Sequence, residues 1–360
     1  MEKDMLEKKR KEIELVDRHL VSLLQKRCNL SVDIGTIKKQ MGMNVYDPTQ
    51  EARVYACIKA INNGKIDEKN IVTIYREILS VSCSLQKPLT IACLGPKASF
   101  SHLASQLHFG KSADFVFASD INTIFKMVEK GKACFGVVPI ENSLEGSVNI
   151  TMDNLAVSNL YVVAERYLPI VHCLLSNSND IKKIKKVYSH PQALAQCRGW
   201  IEKNIPKARL VEVESTSIGA QKATQEVGAG AIASHLATQL YNLNNVAEGI
   251  EDSATNTTRF FIIGKDKNIA TDNNKTSLIF GASHKPGSLY DALKPFAARK
   301  INLMRVESRP MKARPWEYVF FIDFEGQLTD QSVRECISAL EKKASFLRIL
   351  GSYKQGEKIL

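Results

Sequence analysis

The stretch Asn256-Thr257-Thr258-Arg259-Phe260-Phe261-Ile262-Ile263 passes from polar to wholly apolar within a few residues. Its apolar half has the length and composition of a buried strand. Hydroxyls and a guanidinium just ahead of such a strand stand at its mouth, where α/β proteins hold ligands. The Thr258 hydroxyl can donate one hydrogen bond, and the Arg259 fork matches a carboxylate. A plain turn before a core strand would look the same in isolation, so the surrounding chain has to decide.

Around this stretch, residues 88–266 alternate short apolar runs with helical patterns, the mark of an α/β unit. Leu89–Leu94 leads into Ser99-Phe100-Ser101-His102, and Cys134–Pro139 into Ile140-Glu141-Asn142-Ser143. Val187–Tyr188 leads into Ser189-His190-Pro191-Gln192, Leu210–Val213 into Glu214-Ser215-Thr216-Ser217, and Ala229–Ile232 into Ala233-Ser234-His235. Each loop is expected to open a helix, which gathers free N–H groups and favours an anion. An ordinary Ser or Thr cap accounts for any one loop; five of them beside 256–260 point to a dicarboxylate site. His102, His190 and His235 each follow a Ser at a helix start and read as cap-region or surface side chains rather than bases. These loops resemble prephenate dehydratase. That resemblance implies two lobes like those of solute-binding proteins, with Thr258 aiding departure of the substrate hydroxyl. It also implies prephenate contacts at Asn142, Ser143, Ser215, Thr216 and Arg259, the last either binding a carboxylate or bracing the loop.

Residues 1–87 are expected to be all helical. Ile13, Val16, Leu20, Leu23, Leu30, Ile34, Ile37 and Met41 alternate spacings of three and four, a packing seam. Its vacant position holds Arg27, which needs an anion, whether a ligand or an internal acid. Lys38 shares a face with Arg27. Asp47-Pro48 reads as an N-cap and first residue, with Gln50 completing a capping box. Ile71, Ile74, Ile78, Val81 and Leu85 form a second seam, with Ser82 and Gln86 beside it. This pattern resembles the all-α chorismate mutase module. The resemblance implies substrate contacts from Arg10, Arg27, Lys38, Asp47, Glu51, Ser82 and Gln86. Lys38 and Gln86 would stabilise charge on the breaking C–O bond, and Glu51 would place the ring hydroxyl. Gln50 stands where that family usually has an Arg. Arg10 and Arg27 lie 17 residues apart on one helix, roughly 26 Å. If both grip one substrate, Arg10 comes from a second subunit, so a homodimer or higher homo-oligomer is expected.

Beyond a polar linker at Asp266–Asn274, residues 275–360 read strand, helix, strand, strand, helix, strand, a ferredoxin-like α+β order. Gly287-Ser288-Leu289 and Glu307-Ser308-Arg309-Pro310 carry a resemblance to the ACT domain, which commonly binds amino acids between paired modules. It implies L-phenylalanine as allosteric ligand; a helix-start glycine and surface ion pairs are the local alternatives.

The net charge of +11 divides as +4 over 1–87, +1 over 88–266 and +6 over 267–360. No dense basic run with interleaved aromatics appears, which speaks against nucleic acid. No apolar run reaches membrane-spanning length. Eight scattered cysteines without a CxxC pair fit reduced thiols in a cytoplasmic protein, and there is no metal-ligand spacing and no Gly-rich phosphate loop. The whole chain thus resembles the bifunctional chorismate mutase–prephenate dehydratases, which implies no cofactor and no metal. The alternative from another class is a non-catalytic amino-acid sensor built on a solute-binding-like core.

Overall fold

The computed structural model describes residues 2–43, 45–267, 274–283, 285–310 and 318–356. The chain forms two compact units, Met1–Leu89 with Phe109–Asp114, and Thr90–His108 with Phe115–Leu360. The expected second and third parts therefore share one unit. Most of the expected linker lies outside the described residues.

The first unit is built on helices α1 (Glu2–Gln40), α2 (Pro48–Ile61) and α3 (Glu68–Gln86). Asp47 caps α2 by accepting from the Thr49 and Gln50 amides at 3.0 and 3.1 Å. Only half of the expected capping box forms, because the Gln50 side chain makes no return bond to Asp47. Residues 109–114 bind to α3: Ser84 Oγ donates to the Ser112 carbonyl, and the Ser112 amide to Ser80 Oγ. Gly110, at φ +75°, lies so close to Ser80 that an added Cβ would come within 2.4 Å of it.

The two apolar seams depart from expectation. The whole α1 seam stays exposed, as do Ile74, Val81 and Leu85 of α3. The α1 residues that are covered are Ser31 and Gly35, with Arg27 and Lys38 half-buried. Within this unit α1 thus meets α3 through small and polar residues, and among the described residues its apolar stripe stays exposed.

The second unit holds three sheets. Its strands in chain order are β1 (Thr90–Leu94), β2 (Asp114–Ala118), β3 (Phe135–Asn142), β4 (Gly146–Ser147), β5 (Tyr161–Pro169), β6 (Cys173–Ser176), β7 (Lys186–Ser189) and β8 (Arg209–Glu212). They continue with β9 (Ala229–Ala233), β10 (Asn244–Glu248), β11 (Thr257–Gly264), β12 (Asn274–Ala282), β13 (Leu303–Pro310), β14 (Tyr318–Glu325) and β15 (Ala344–Lys354). The first sheet has the order β2-β1-β3-β11-β5, with β4 on β3. The second has the order β10-β6-β9-β7-β8, and the third β13-β14-β12-β15. These are the two α/β lobes and the ferredoxin-like sheet read from the sequence.

Helices α4 (Phe100–Phe109), α5 (Ile121–Glu129), α6 (Asn149–Val157), α7 (Pro191–Gln196), α8 (Arg198–Asn204), α9 (Thr216–Thr224), α10 (Leu236–Tyr241), α11 (Ser288–Ala298) and α12 (Gln331–Glu341) complete the unit. Helix α5 buries Ile121, Ile124, Phe125 and Val128, one stripe at helical spacing, and Asp120 caps it through the Thr123 amide.

Strand β11 is buried at every position after Thr257, so both of its faces are covered. The core around Phe261 and Ile263 includes Ile279, Val319, Phe321, Leu350 and Tyr353 of the third sheet. That sheet comes close through Gly351: an added Cβ would lie 2.0 Å from the Val162 carbonyl oxygen of β5.

Several strand boundaries differ from expectation, two of them beside the 256–260 stretch. Strand β3 runs on through Asn142, and β11 begins at Thr257 rather than Phe260. Polar Glu141, Asn142, Thr257 and Thr258 hide these strand ends from hydropathy. Cross-strand pairing holds them nonetheless, with Thr258 opposite Asn142 and Arg259 opposite Glu141.

Candidate functional site

The lobes are joined by two crossing segments, 170–172 and 249–256. The amides of Gly249 and Ile250 donate to the His172 carbonyl, and the Ile170 amide to the Asn256 carbonyl. A continuous polar chain lies beside this crossing. Asn142 Nδ2 donates to Thr258 Oγ1 and to Asn256 Oδ1, both at 2.9 Å. Asn256 Nδ2 donates to Gln196 Oε1 at 3.1 Å, which also accepts from His172 Nε2 at 2.9 Å. The Asn142 amide has one orientation, because its Oδ1 is held by the Leu144 and Glu145 amides. Thr258 Oγ1 is therefore an acceptor towards Asn142, and its own proton has no acceptor among the described residues. A nearly buried hydroxyl with a committed lone pair and an uncommitted proton is arranged to donate to a ligand. A register shift in the β3–β11 pairing, between Arg259 and Phe260, lies right beside it. Such bulges re-aim side chains near sites.

The other expected prephenate residues divide. Ser143 is tied to the same loop, its Oγ donating to the Thr255 carbonyl and accepting from the Thr257 amide. Ser215 caps α9 by accepting from the Ile218 amide, and Thr216 opens that helix. Neither bonds to Thr258 or Asn142. Ser217 of α9 and Ser234 instead grip the first lobe by donating to the Lys97 and Ala98 carbonyls. Gln196 and His172 were not singled out from the sequence, and Asn256 was quoted in the opening stretch without a role of its own. Gln192, four residues before Gln196, carries the motif while Gln196 occupies the helix end, so no local signal marks it.

Arg259 does not face this polar chain. Its side chain is 4% exposed and sits among acids: Nε donates to Glu165 Oε2 at 2.8 Å, and Nη1 to Asp323 Oδ2 at 2.5 Å. Of the two roles considered, the geometry is that of a brace. Burial works against both charges. Asp323, Tyr353 and Glu165 nonetheless raise the Arg259 pKa well above its usual value, and Arg259 with Ser277 and Lys275 holds the Asp323 carboxyl below its own.

His102 is buried rather than surface. Its Nδ1 accepts from the Ala98 amide at 3.1 Å, its ring stands edge-on to Phe115 and Phe117, and burial with Lys97 lowers its pKa to about 4. His190 caps α7 through the Gln192 amide, as expected. Folding brings Cys173, His235 and Glu248 within 4.8 Å of one another despite the lack of metal-ligand spacing. Burial and the charges of Glu248 and Glu251 push the Cys173 thiol up to about 12, so it is no ready metal ligand.

In the helical unit, Arg27 Nη1 donates to Ser82 Oγ, which donates to the Ile78 carbonyl at 2.8 Å. Lys38 Nζ donates to the Val45 carbonyl at 2.7 Å. Glu51 accepts from Tyr55 at 3.0 Å, and burial and then Glu51 raise the Tyr46 phenol well above its usual value. Arg27, Lys38 and Glu51 surround Cys83: burial and Glu51 push its thiol up to about 11, against the two cations. Gln86 lies against Gly35, and its Oε1 is buried with no hydrogen-bond partner among the described residues. Among the described residues, no acid forms an ion pair with Arg27. Asp47 is spent as a cap, and Arg10 is exposed in an ion pair with Glu7 at 2.8 Å. Arg27, Lys38, Glu51, Ser82 and Gln86 are thus assembled without Arg10.

In the third sheet's layer, Gly287 at φ +81° precedes α11. Ser288 and Leu289 line a cavity of about 380 Å³ with Ser283, Lys285, Tyr318 and Phe320. Glu307, Ser308 and Arg309 lie on β13 and do not line it. Arg309 pairs with Asp153 of α6 at 3.0 Å, and Glu307 lies 4.0 Å from Arg305.

Three family models match in order: chorismate mutase type II over residues 9–87, prephenate dehydratase over 91–268 and the ACT domain over 276–342. The chain is 42% identical over 352 residues to the bifunctional chorismate mutase/prephenate dehydratase of Aquifex aeolicus, covering 97% of each. It is 37% identical over 358 residues to that of Stutzerimonas stutzeri, covering 98% of each. Among solved structures it is similar to the prephenate dehydratase of Arthrobacter aurescens in complex with L-Phe. There the TM-score is 0.68 with 32% identity, covering 74% of this chain and 90% of that one.

Proposed function

The chain belongs to the bifunctional chorismate mutase/prephenate dehydratases, and from that premise we propose which residues carry its two reactions and their control. It rearranges chorismate to prephenate and then converts prephenate to phenylpyruvate, in the biosynthesis of phenylalanine. L-Phenylalanine is the proposed feedback ligand.

Prephenate loses carbon dioxide and its ring hydroxyl. The electron pair of the C–CO₂ bond enters the ring, the ring C–O bond breaks, and the leaving oxygen departs as water once protonated. The ring becomes aromatic, so the enzyme's task is to help that oxygen go. Thr258 is the group proposed to do it, by hydrogen bonding to the departing hydroxyl. The observation that carries this is the Asn142 amide occupying the Thr258 oxygen and leaving its proton for the substrate. Asn142 and the N-terminus of α9 with Thr216 are proposed to hold the substrate. Thr258→Ser keeps a donor and should retain most turnover, whereas Thr258→Ala should lower kcat about 10²–10³-fold. Equal turnover in both would refute the assignment.

The mutase step needs no proton transfer, only a held conformer and charge stabilisation at the breaking C–O bond. Arg27 is proposed to bind a carboxylate, Lys38 and Gln86 the ether oxygen, and Glu51 the ring hydroxyl, with Ser82 orienting Arg27. Arg10 is proposed to come from a second copy, making a homodimer; the exposed stripe of α1 supports this. The cavity beside Ser288 and Leu289 supports a phenylalanine site there, with Gly287 allowing close backbone approach. Glu307, Ser308 and Arg309 are proposed to complete it across paired modules. The proposed compartment is the cytoplasm; no helix is long and apolar enough to cross a membrane.

A further inference from the structure

Four charged side chains of the second unit form a buried cluster, with Glu141 at its edge, 3.7 Å from Arg259 Nη1. Glu165 of β5 and Arg259 of β11 come from the dehydratase lobe, and Lys275 of β12 and Asp323 of β14 from the ACT sheet. The set is neutral, each part contributing one acid and one base, and the ion pairs Arg259–Asp323 and Lys275–Glu165 run between the parts. Lys275 Nζ donates to both Glu165 oxygens at 3.0 and 3.1 Å and to Tyr167 at 3.2 Å. Asp323 also accepts from Ser277, whose Oγ lies 2.5 Å from Tyr353 OH. Tyr353 in turn accepts from Arg259 Nη2 at 3.3 Å, and the Gly356 amide donates to Glu165 Oε1 at 2.9 Å. Each charge is met by an opposite charge and by hydrogen bonds, the condition under which such a cluster holds one geometry.

Arg259 follows Thr258 directly. Successive side chains of a strand point to opposite faces, so Arg259 reaches the ACT sheet while Thr258 faces the Asn142 side. The same segment is held a second time. Arg305 of β13 donates to Ser147 at 2.8 Å and lies 3.7 Å from Glu141, the residue before Asn142. Both members of the Thr258–Asn142 pair are therefore one residue away from a side chain gripped by the ACT sheet.

We propose that Asp323 and Lys275 are positioning residues for the dehydratase reaction, holding Arg259 and through it the Thr258 hydroxyl in register with Asn142. The inference rests on Thr258 being the donor to the departing hydroxyl. It assigns the ACT sheet a part in building the dehydratase site, beside its part in control. Without Asp323 a cation would be left in excess in the buried cluster; Arg259 would move, and the strand with it.

The test uses the full-length chain, with dehydratase and mutase turnover measured on the same preparations. Asp323→Asn should lower kcat for prephenate at least tenfold, with KM within about twofold and mutase activity unchanged; Asp323→Glu should recover part of the loss. Should Asp323→Asn fail to fold, the charge-balanced double variant Lys275→Met, Asp323→Asn carries the test, since it leaves Arg259 paired with Glu165. A lowered kcat at unchanged KM in that variant supports the proposal. Wild-type kcat, or a raised KM alone, overturns it. Thr258→Ala is run in parallel. If it is inactive while the balanced variant is fully active, the positioning role fails by itself; if it turns over normally, the assignment of Thr258 fails.

Discussion

At the scale of single residues, the site works by giving each polar atom one job. Asn142 spends its oxygen on two backbone amides and its nitrogen on Asn256 and Thr258, which leaves Thr258 only its proton to offer. His102 makes a comparable commitment in its unprotonated form, accepting from the Ala98 amide. Its folded pKa of about 4 lies below the unfolded value near 6.5. Between the two the unfolded chain binds more protons, so stability rises with pH. The contribution is complete above about pH 6.5 and is lost as pH falls towards 4, by about 3 kcal/mol at most. Urea midpoints at pH 7 and pH 5 should show the fall, and His102→Gln should flatten it; an equal slope in that variant would contradict the reading. Thr258 was legible because its hydroxyl precedes an apolar run. Gln196 was not, since its partners His172 and Asn256 lie 24 and 60 residues away in sequence.

At the scale of elements, hydropathy revealed many of the strands but mislaid their ends, and β2, β4, β5, β6 and β10 were not singled out. Lys275 and Asp323 sit inside strands β12 and β14, where charged side chains would be costly without partners. Asp323, which interrupts the apolar run of β14, was the available signal for a buried cluster; Lys275 stands among polar Asn274, Thr276 and Ser277 and gives none. The partner Glu165 is 110 residues from Lys275, which only the fold can reveal. The helical seams failed in the other direction: their spacing was right, but a single chain leaves them exposed. Strand β15 meets β5 at Gly351, where a Cβ would overlap the Val162 carbonyl oxygen. Gly351→Ala is expected to force the strands apart at a cost of about 1–3 kcal/mol, read as a lowered thermal midpoint with weaker dehydratase turnover. An unchanged midpoint would mean the two strands are less closely fitted than described.

At the scale of the whole molecule, three parts with different chemistry follow one another along the chain, and the sequence showed their order through changes in periodicity. It did not show that the dehydratase and ACT parts share a core, because that core is assembled from residues of both. Arg10 and Arg27 lie too far apart on one helix for a single substrate, and α1 leaves an apolar stripe bare. Sedimentation of the purified chain should therefore give a dimer or larger. Arg10→Ala should lower mutase activity while leaving dehydratase turnover intact. A monomer with full mutase activity would contradict the shared site.

The central claim is that one chain carries two consecutive reactions and that a single hydroxyl commands the second. Feeding chorismate to the Thr258→Ala variant and following both products over time tests it most directly. The account predicts that prephenate forms at the wild-type rate and accumulates, with phenylpyruvate nearly absent; phenylpyruvate appearing at the wild-type rate, or no prephenate at all, would contradict it.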